Sequence, residues 1–444
     1  MSKVDMRTIV VVGAGISGCV VAYELAKQGY KVILVEKDTK VGGLAKSFRY
    51  GNATFDVGPH RFFTTKQEVA KFIQDILGDE YTIISRDSSV YFLGKYYPWP
   101  LRPTVAFNLP VSIAIRSGWD LFPMGIKKRR GVIGNFENYM LEYYGPTLYN
   151  AFFKKYTQKF LGLSPQKTDS KWAKDAMKRT VIDESIASRN LTDILKSIFN
   201  FKPLQTKFIY PSQGMGVFCE KLVARLKRHN VEVWTDSCIT DADCSNDWVK
   251  KIFIGGRAIN TDKIIWTASM EDLCRLLKIP SDGLNYRALL LYNIELNKPS
   301  RQNYQWCYYG DKEIFSRISM PSLFNKNMGA NDKASICVEV TCQRNDQWWN
   351  NPDKLVERIK KDLVRVKLVN RAADIGKIYM EKIDNAYPIY KLNYFDNLKI
   401  IKENLAKWEN LILAGRTGLF WYNNMDDSIE NALGIAKDIM RKKL

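Results

Sequence analysis

Histidine is almost absent: His60 and His229 are the only two in 444 residues. A histidine-rich metal site is therefore excluded, and a Ser/His/Asp triad would have to use one of these two. His229 lies in RLKRHNVEV, a polar helix end, where a surface role is the plainer reading. The eight cysteines show no CxxC or other metal-ligand spacing. They read as thiols, with Cys337 and Cys342 buried in a strand-like segment, and imply a reducing, cytoplasmic compartment. No secretory leader precedes the first strand, and no run reaches the roughly 18 apolar residues that span a bilayer. Internal repeats, low-complexity tracts and nucleic-acid-binding motifs are also missing. Acidic residues are in deficit, 47 Asp and Glu against 67 Lys and Arg, for a formal charge of +20. Such a surplus suits an anionic partner: a phosphorylated substrate, a membrane surface or a nucleic acid. The one dense basic cluster, Lys127–Arg130, is either a solvated basic surface or a patch for peripheral membrane contact.

What is present describes a globular chain: 46% hydrophobic and 26% charged residues, long enough for two or three domains. Residues 8–36 read TIVVVGAGISGCVVAYELAKQGYKVILVE. A continuous apolar strand leads into Gly13, Gly15 and Gly18, a G-x-G-x-x-G turn, then a helix, a second strand and Glu36. Gly13 allows the tight turn, Gly15 lets backbone approach a pyrophosphate, and Gly18 lets helix and strand pack closely. The helix start, with Ile16 and Ser17, offers free N–H groups to the anion, and Glu36 can accept hydrogen bonds from a ribose diol.

Further along, residues 66–78 form an amphipathic helix and 88–103 a hairpin. Helical patterns dominate from 104 to about 200, with an aromatic stripe that suits core packing as well as a cofactor box. Gly214 and Gly216 open another helix, followed by the strands VEVWT and DKIIWT. Alternation in RALLLYNIEL and ASICVEVTC predicts an antiparallel sheet, and NLILAG a last parallel strand before the closing helix. The fold class is α/β. A discontinuous Rossmann-type dinucleotide-binding domain (1–88, 206–286, 386–444), FAD-binding by the resemblance given next, carries a mainly helical insertion (89–205) and an antiparallel-sheet substrate domain (287–385).

The glycine pair Gly42-Gly43 and the run FDVGPHRFF, with Asp56, Gly58 and His60, resemble the FAD-binding domain shared by amine oxidases, protoporphyrinogen oxidases, phytoene desaturases and UDP-galactopyranose mutases. No second complete G-x-G-x-x-G is present to house NAD(P)H, so one tightly held FAD is the expected cofactor. Over nearly the full chain the layout resembles the mutases. GPHRFFT (58–64) is similar to their G-[AP]-H-x-F-H-T segment, FSRIS (315–319) to T-R-I, AYPIY (386–390) to Y-Y-P-I, and GRTGLFWYNNMDD (415–427) to G-R-x-x-x-Y-x-Y-x-D-M-D. LYNAFFKKYTQKFLGLSP (148–165) is similar to the helical segment that helps hold uridine.

The resemblance implies roles. His60, Arg317, Arg416, Tyr387 and Tyr422 would form the catalytic group. Tyr156, Leu161, Arg317, Tyr387 and Tyr422 would bind substrate. Gly13, Gly15, Ile16, Ser17, Gly18, Glu36, Lys37, Gly43, Leu44, His60, Val233, Gly415, Arg416, Asn424 and Met425 would hold FAD. Four positions depart from the pattern: Leu161 replaces a tryptophan that packs on uridine, Phe63 a histidine, Phe420 a tyrosine and Asn424 an acid. Guanidinium forks suit a diphosphate, and phenols add directional bonds while packing on a sugar. Alternatives remain for both arginines: a helix-start salt bridge to Asp426 or Asp427 for Arg416, and a solvent-facing strand position for Arg317.

The activity this implies is redox-neutral interconversion of the pyranose and furanose rings of a UDP- or related NDP-sugar, for cell-surface polysaccharide biosynthesis. N5 of the reduced flavin would displace the diphosphate and carry the sugar as an adduct, with a flavin-reducing protein as a candidate partner. Two other readings stand beside it: an FAD-dependent oxidoreductase of the amine oxidase or protoporphyrinogen oxidase type, and a non-catalytic flavoprotein scaffold.

Overall fold

The computed structural model describes residues 7–100, 108–124, 134–180, 207–329 and 334–441. The Lys127–Arg130 cluster and residues 181–205 of the helical insertion lie outside them.

Ile9, Val10 and Val11 have no exposed surface because Thr8–Val12 is the middle of five parallel strands. The order across this sheet is Leu411–Leu413, Lys263–Trp266, Thr8–Val12, Lys31–Val35, Glu232–Trp234. Strands covered on both faces need such unbroken apolar runs. Segments far apart in sequence thus meet in one sheet, as the discontinuous reading expects. Helix Ile16–Lys27 covers it and packs against Met425–Arg441 and Gly216–Arg228.

A second, seven-stranded sheet runs Ile375–Pro388, Tyr286–Leu296, Ser335–Cys342, Arg317–Ser319, Trp306–Tyr309, Ser88–Phe92, Lys95–Pro98. Tyr286–Leu296 pairs antiparallel with Ser335–Cys342 and with Ile375–Pro388. Its side chains alternate between two cores, as the pleat requires. Leu289 and Leu291 face the core shared with the parallel sheet, whereas Leu290 and Tyr292 face a second core. Helix Val356–Arg365 closes that second core with Ile359 and Leu363.

The hairpin turns at Leu93-Gly94, both at positive φ. Sequence reading sets it at the start of the helical insertion, but Ser88–Phe92 pairs in parallel with Trp306–Tyr309 and extends the second sheet. A three-stranded meander, Ile239–Ser245, Trp248–Ile254 and Arg257–Asn260, was not expected from the sequence.

Candidate active site

The glycine turn is built as its spacing demands. Gly13 sits at φ +98°, and a Cβ there would lie 2.5 Å from Thr267 Oγ1. A Cβ on Gly18 would lie 1.8 Å from the Gly13 carbonyl oxygen. Gly15 differs: its backbone is extended, and a Cβ there would meet nothing closer than Gly43 Cα at 3.9 Å. The open side of the turn is thus at Gly15, where helix Ile16–Lys27 begins with no side chain capping its N–H groups. Uncapped N–H groups at a helix start suit a phosphate. Gly42 N–H donates to the Ala14 carbonyl at 2.8 Å and brings Gly43 and the half-buried Leu44 against this opening.

Glu36 ends the second strand and is buried. It accepts from Ala14 N–H at 2.7 Å and from Asp38 N–H at 3.0 Å. Each carboxylate oxygen keeps a further lone pair for a ligand hydroxyl. Gly415, at φ +73°, approaches Ser17 so closely that a Cβ would stand 3.0 Å from its Oγ. Ser17 Oγ donates to the Ser428 carbonyl, which joins the first helix to Met425–Arg441. Asn424 and Met425 open that last helix, where Asn424 N–H donates to Asp427 at 3.0 Å. Val233 lies on the edge strand opposite Leu34, beside Glu36. Lys37 points elsewhere: its ammonium pairs with Asp384 at 2.7 Å.

Beyond the turn, Gly58 rests on Glu339, with room for no side chain: a Cβ would fall 2.6 Å from Glu339 Oε1. This presents His60, whose buried Nδ1 has no hydrogen-bond partner. Burial first, then Arg317, Arg416 and Arg61, push its pKa down to about 3, so the imidazole is neutral. An orphaned ring nitrogen, an open glycine turn, an uncapped helix start and a buried acid together fit a flavin dinucleotide.

Arg317 and Glu339 are directly opposed on neighbouring strands. They form two bonds of 2.6 Å each, and Arg317 Nη2 also donates to Tyr387 Oη at 3.0 Å. Arg317 is therefore inward-facing and not the solvent-facing strand arginine of the alternative. Arg416 donates to the Asn423 carbonyl at 2.9 Å. Its guanidinium carbon lies 4.5 Å from the Tyr422 ring centre and 5.3 Å from that of Tyr387. Tyr387 also packs on Phe160, and Tyr422 stacks on Trp172.

Arg317, Tyr422, Phe160 and Trp172 line a cavity of about 170 Å³, together with Tyr156 and Tyr308. Arg416 and Tyr387 contact those walls, and Gly415 links them to the glycine turn. Leu161 is a correction: at 1% exposure it lies in the core, outside the cavity lining. It ends helix Lys154–Leu161 on its inward face. Sequence reasoning missed Arg61 and Tyr308. Arg61 is visible as the basic residue after His60 in GPHRFF, whereas Tyr308 sits in a strand whose register decides what it faces. Among the described residues no group of three or more His, Cys, Asp or Glu could hold a metal ion.

A family model described as an NAD(P)-binding Rossmann-like domain matches residues 11–76. A protein named probable UDP-galactopyranose mutase, from Klebsiella pneumoniae, is 28% identical over 176 residues, 36% of this chain and 42% of that protein. The dTDP-fucopyranose mutase of Escherichia coli is 27% identical over 175 residues, 36% of this chain and 43% of that protein. The matched stretch thus spans less than half the length of these curated relatives. A crystal structure of reduced UDP-galactopyranose mutase superposes with a TM-score of 0.83 at 21% identity, covering 98% of this chain and 94% of that one. The chain has the fold of UDP-galactopyranose mutase. The architecture is not confined to mutases: putrescine oxidase superposes with a TM-score of 0.62 at 14% identity, covering 98% of this chain and 99% of that one. At these identities the two superpositions establish the fold that holds the glycine turn and the cavity.

Proposed function

We propose that this chain is a flavin-dependent nucleotide-sugar mutase that interconverts pyranose and furanose rings of a UDP- or related NDP-sugar for cell-surface polysaccharide biosynthesis. The observation that carries the reading is Arg416 lying across Tyr387 and Tyr422, with Tyr387 accepting from Arg317 of the Arg317–Glu339 pair and Tyr422 lining the cavity. The two mutases similar in sequence support it.

Reduced flavin would supply a nucleophilic nitrogen for the anomeric carbon. The protein's own part is placement and charge. Glu36 and the first helix start would hold the cofactor's ribose and pyrophosphate. Tyr387 and Tyr422 hold the sugar and leaving group by their hydroxyls and faces, and Arg416 stabilises the departing diphosphate. Phe160, Trp172 and Tyr156 keep water from the reacting carbon. His60, neutral, offers a hydrogen bond without adding charge. A flavin-reducing protein is a candidate partner in this reading.

A cytoplasmic, membrane-peripheral placement goes with it. Val111, Ile115 and Trp119 form an exposed apolar stripe at helical spacing on Val111–Met124, just before the basic cluster in sequence. No helix among the described residues is long and apolar enough to cross a membrane. The second reading, an FAD-dependent oxidoreductase, is favoured by the aromatic character of the cavity walls, Phe92, Trp99, Phe152 and Phe153 among them.

Arg416→Ala tests the diphosphate role. Loss of one charged contact to a ligand costs about 1.5–3 kcal/mol, or about 10- to 100-fold in affinity. Calorimetry should show UDP binding weakened by that factor, with flavin retained and the melting temperature little changed. Unchanged UDP affinity would favour the oxidoreductase reading.

A further inference from the structure

Tyr308 lines the cavity, yet the proposed chemistry gives it no task. The register of the second sheet puts it there. Tyr308 stands opposite Arg317 on one neighbouring strand and beside Val90 on the other, and Arg317 stands opposite Glu339. Residues paired across strands present their side chains to the same face. One row across four strands therefore reads Val90, Tyr308, Arg317, Glu339, and its first three members line the cavity. The alternate residues agree with this register: Cys307, Tyr309, Ile318 and Val338 belong to the second core.

Tyr308 is 9% exposed, and its side-chain neighbours meet its ring. The ring of Tyr156 stands edge-on at 5.6 Å, and that of Trp99 lies at 5.9 Å. Among the described residues nothing hydrogen-bonds its hydroxyl, and that oxygen is not sealed in the protein as the orphaned Nδ1 of His60 is. Buried phenols ordinarily keep a partner, because an unmet hydroxyl forfeits the bond that water gave it. Arg317 supplies a second donor at the same place. Its Nε and Nη2 are committed to Glu339, and Nη2 also to Tyr387. Nη1 takes part in none of these bonds, and its N–H groups remain to be used. Burial works against the charge of Arg317, while Glu339, Tyr387 and Tyr308 favour it. Glu339 has no exposed surface and spends both oxygens on the arginine, so the row turns donors toward the cavity. Two adjacent donors match a ligand oxygen that accepts.

We propose that Tyr308 is a further substrate-binding residue, whose hydroxyl, together with Arg317 Nη1, holds one acceptor oxygen of the nucleotide sugar within the cavity. The identity of the ligand rests on the nucleotide-sugar reading, but the donor pair is tested apart from it. The flavin-loaded full chain is titrated calorimetrically with inorganic pyrophosphate, UDP and UDP-galactose, as wild type, Tyr308→Phe and Tyr309→Phe. Tyr308→Phe keeps the ring packed on Tyr156 and Trp99 and removes only the hydroxyl. Tyr309→Phe removes a hydroxyl from the next residue of the same strand, on the face turned to the second core, where it lies 3.2 Å from the hydroxyl of Tyr96. Thermal melts confirm that each variant is folded.

The expected result is that Tyr308→Phe weakens binding of UDP, UDP-galactose or both by about three- to tenfold, the range of one hydrogen bond, while Tyr309→Phe binds as wild type does. Equal losses for UDP and UDP-galactose assign the oxygen to the nucleoside diphosphate. A loss confined to UDP-galactose assigns it to the sugar. If wild type binds UDP and Tyr308→Phe binds every ligand as wild type does, the role of Tyr308 is overturned and the nucleotide-sugar reading stands. Equal losses in Tyr308→Phe and Tyr309→Phe also overturn it, because the effect then belongs to the strand and not to the cavity. If wild type binds pyrophosphate in a Tyr308-dependent way but neither nucleotide better, the donor pair stands and that reading falls. Failure of wild type to bind any of the three overturns both.

Discussion

Gly15→Leu gives a folded, colourless protein. The expectation follows from the unequal surroundings of the three glycines. Gly15 has φ −74° and ψ −175°, a conformation open to any residue. The nearest atom to its added Cβ would be Gly43 Cα at 3.9 Å, an ordinary contact, so the turn itself tolerates a Cβ here. The space such a side chain enters is the approach to the uncapped helix start, where the pyrophosphate of a dinucleotide must lie against backbone. Flavin absorbance should therefore vanish from purified protein while circular dichroism retains the wild-type shape. The melting temperature should fall only by the stabilisation that bound cofactor supplies. Gly18→Ala is the contrasting control: its Cβ would sit 1.8 Å from the Gly13 carbonyl oxygen, and the turn itself must deform. Yellow, fully loaded Gly15→Leu protein would refute the assignment of this turn to the cofactor.

Arg317→Ala is expected to be the most destabilising single change at the cavity. Glu339 has no exposed surface, and its carboxylate lies under Gly58 with no room for another side chain between them. Burial works against the charge of Arg317, but Glu339 and Tyr387 hold its pKa well above the ordinary arginine range. Removing the guanidinium leaves a buried carboxylate without a partner, at a cost of about 3–5 kcal/mol. Urea denaturation should report that loss, whether or not substrate is present. The double variant Arg317→Met/Glu339→Leu should regain much of it, because two apolar side chains leave no orphaned charge. An Arg317→Ala protein as stable as wild type would contradict the buried ion pair. Activity separates the two roles of this arginine: the double variant restores stability without restoring the guanidinium that borders the cavity.

The parallel sheet and its cofactor turn were legible because each part is local. Apolar runs, glycine spacing and the acid after the second strand lie within residues 8–36. The alternating strands at 286–296 and 335–342 were equally plain, although their two-sided burial came from packing that alternation alone does not reveal. The meander at 239–260 left weaker traces. Its outer strands, ITDADCS and RAIN, carry few apolar residues, and its turns, Asn246-Asp247 and Gly255-Gly256, all at positive φ, were the signal to follow. Contacts between distant segments were not legible. Lys37 reads as a neighbour of the ribose acid until strand Ile375–Pro388 brings Asp384 to it. Leu161 reads as a substrate contact by its place in a motif, yet the helix turns it inward. Arg61 escaped notice because its surroundings depend on Trp306 and Phe208 arriving from distant strands.

The most direct test of the nucleotide-sugar account is titration of the flavin-loaded protein with UDP-galactose and with dTDP-sugars, first oxidised and then dithionite-reduced, following the flavin spectrum and the released sugar. The account predicts tighter binding on reduction and release of a ring-isomerised nucleotide sugar without net oxidation. No response to any nucleotide sugar, together with rapid reoxidation of the flavin by oxygen or a quinone, would contradict it and establish the oxidoreductase reading instead.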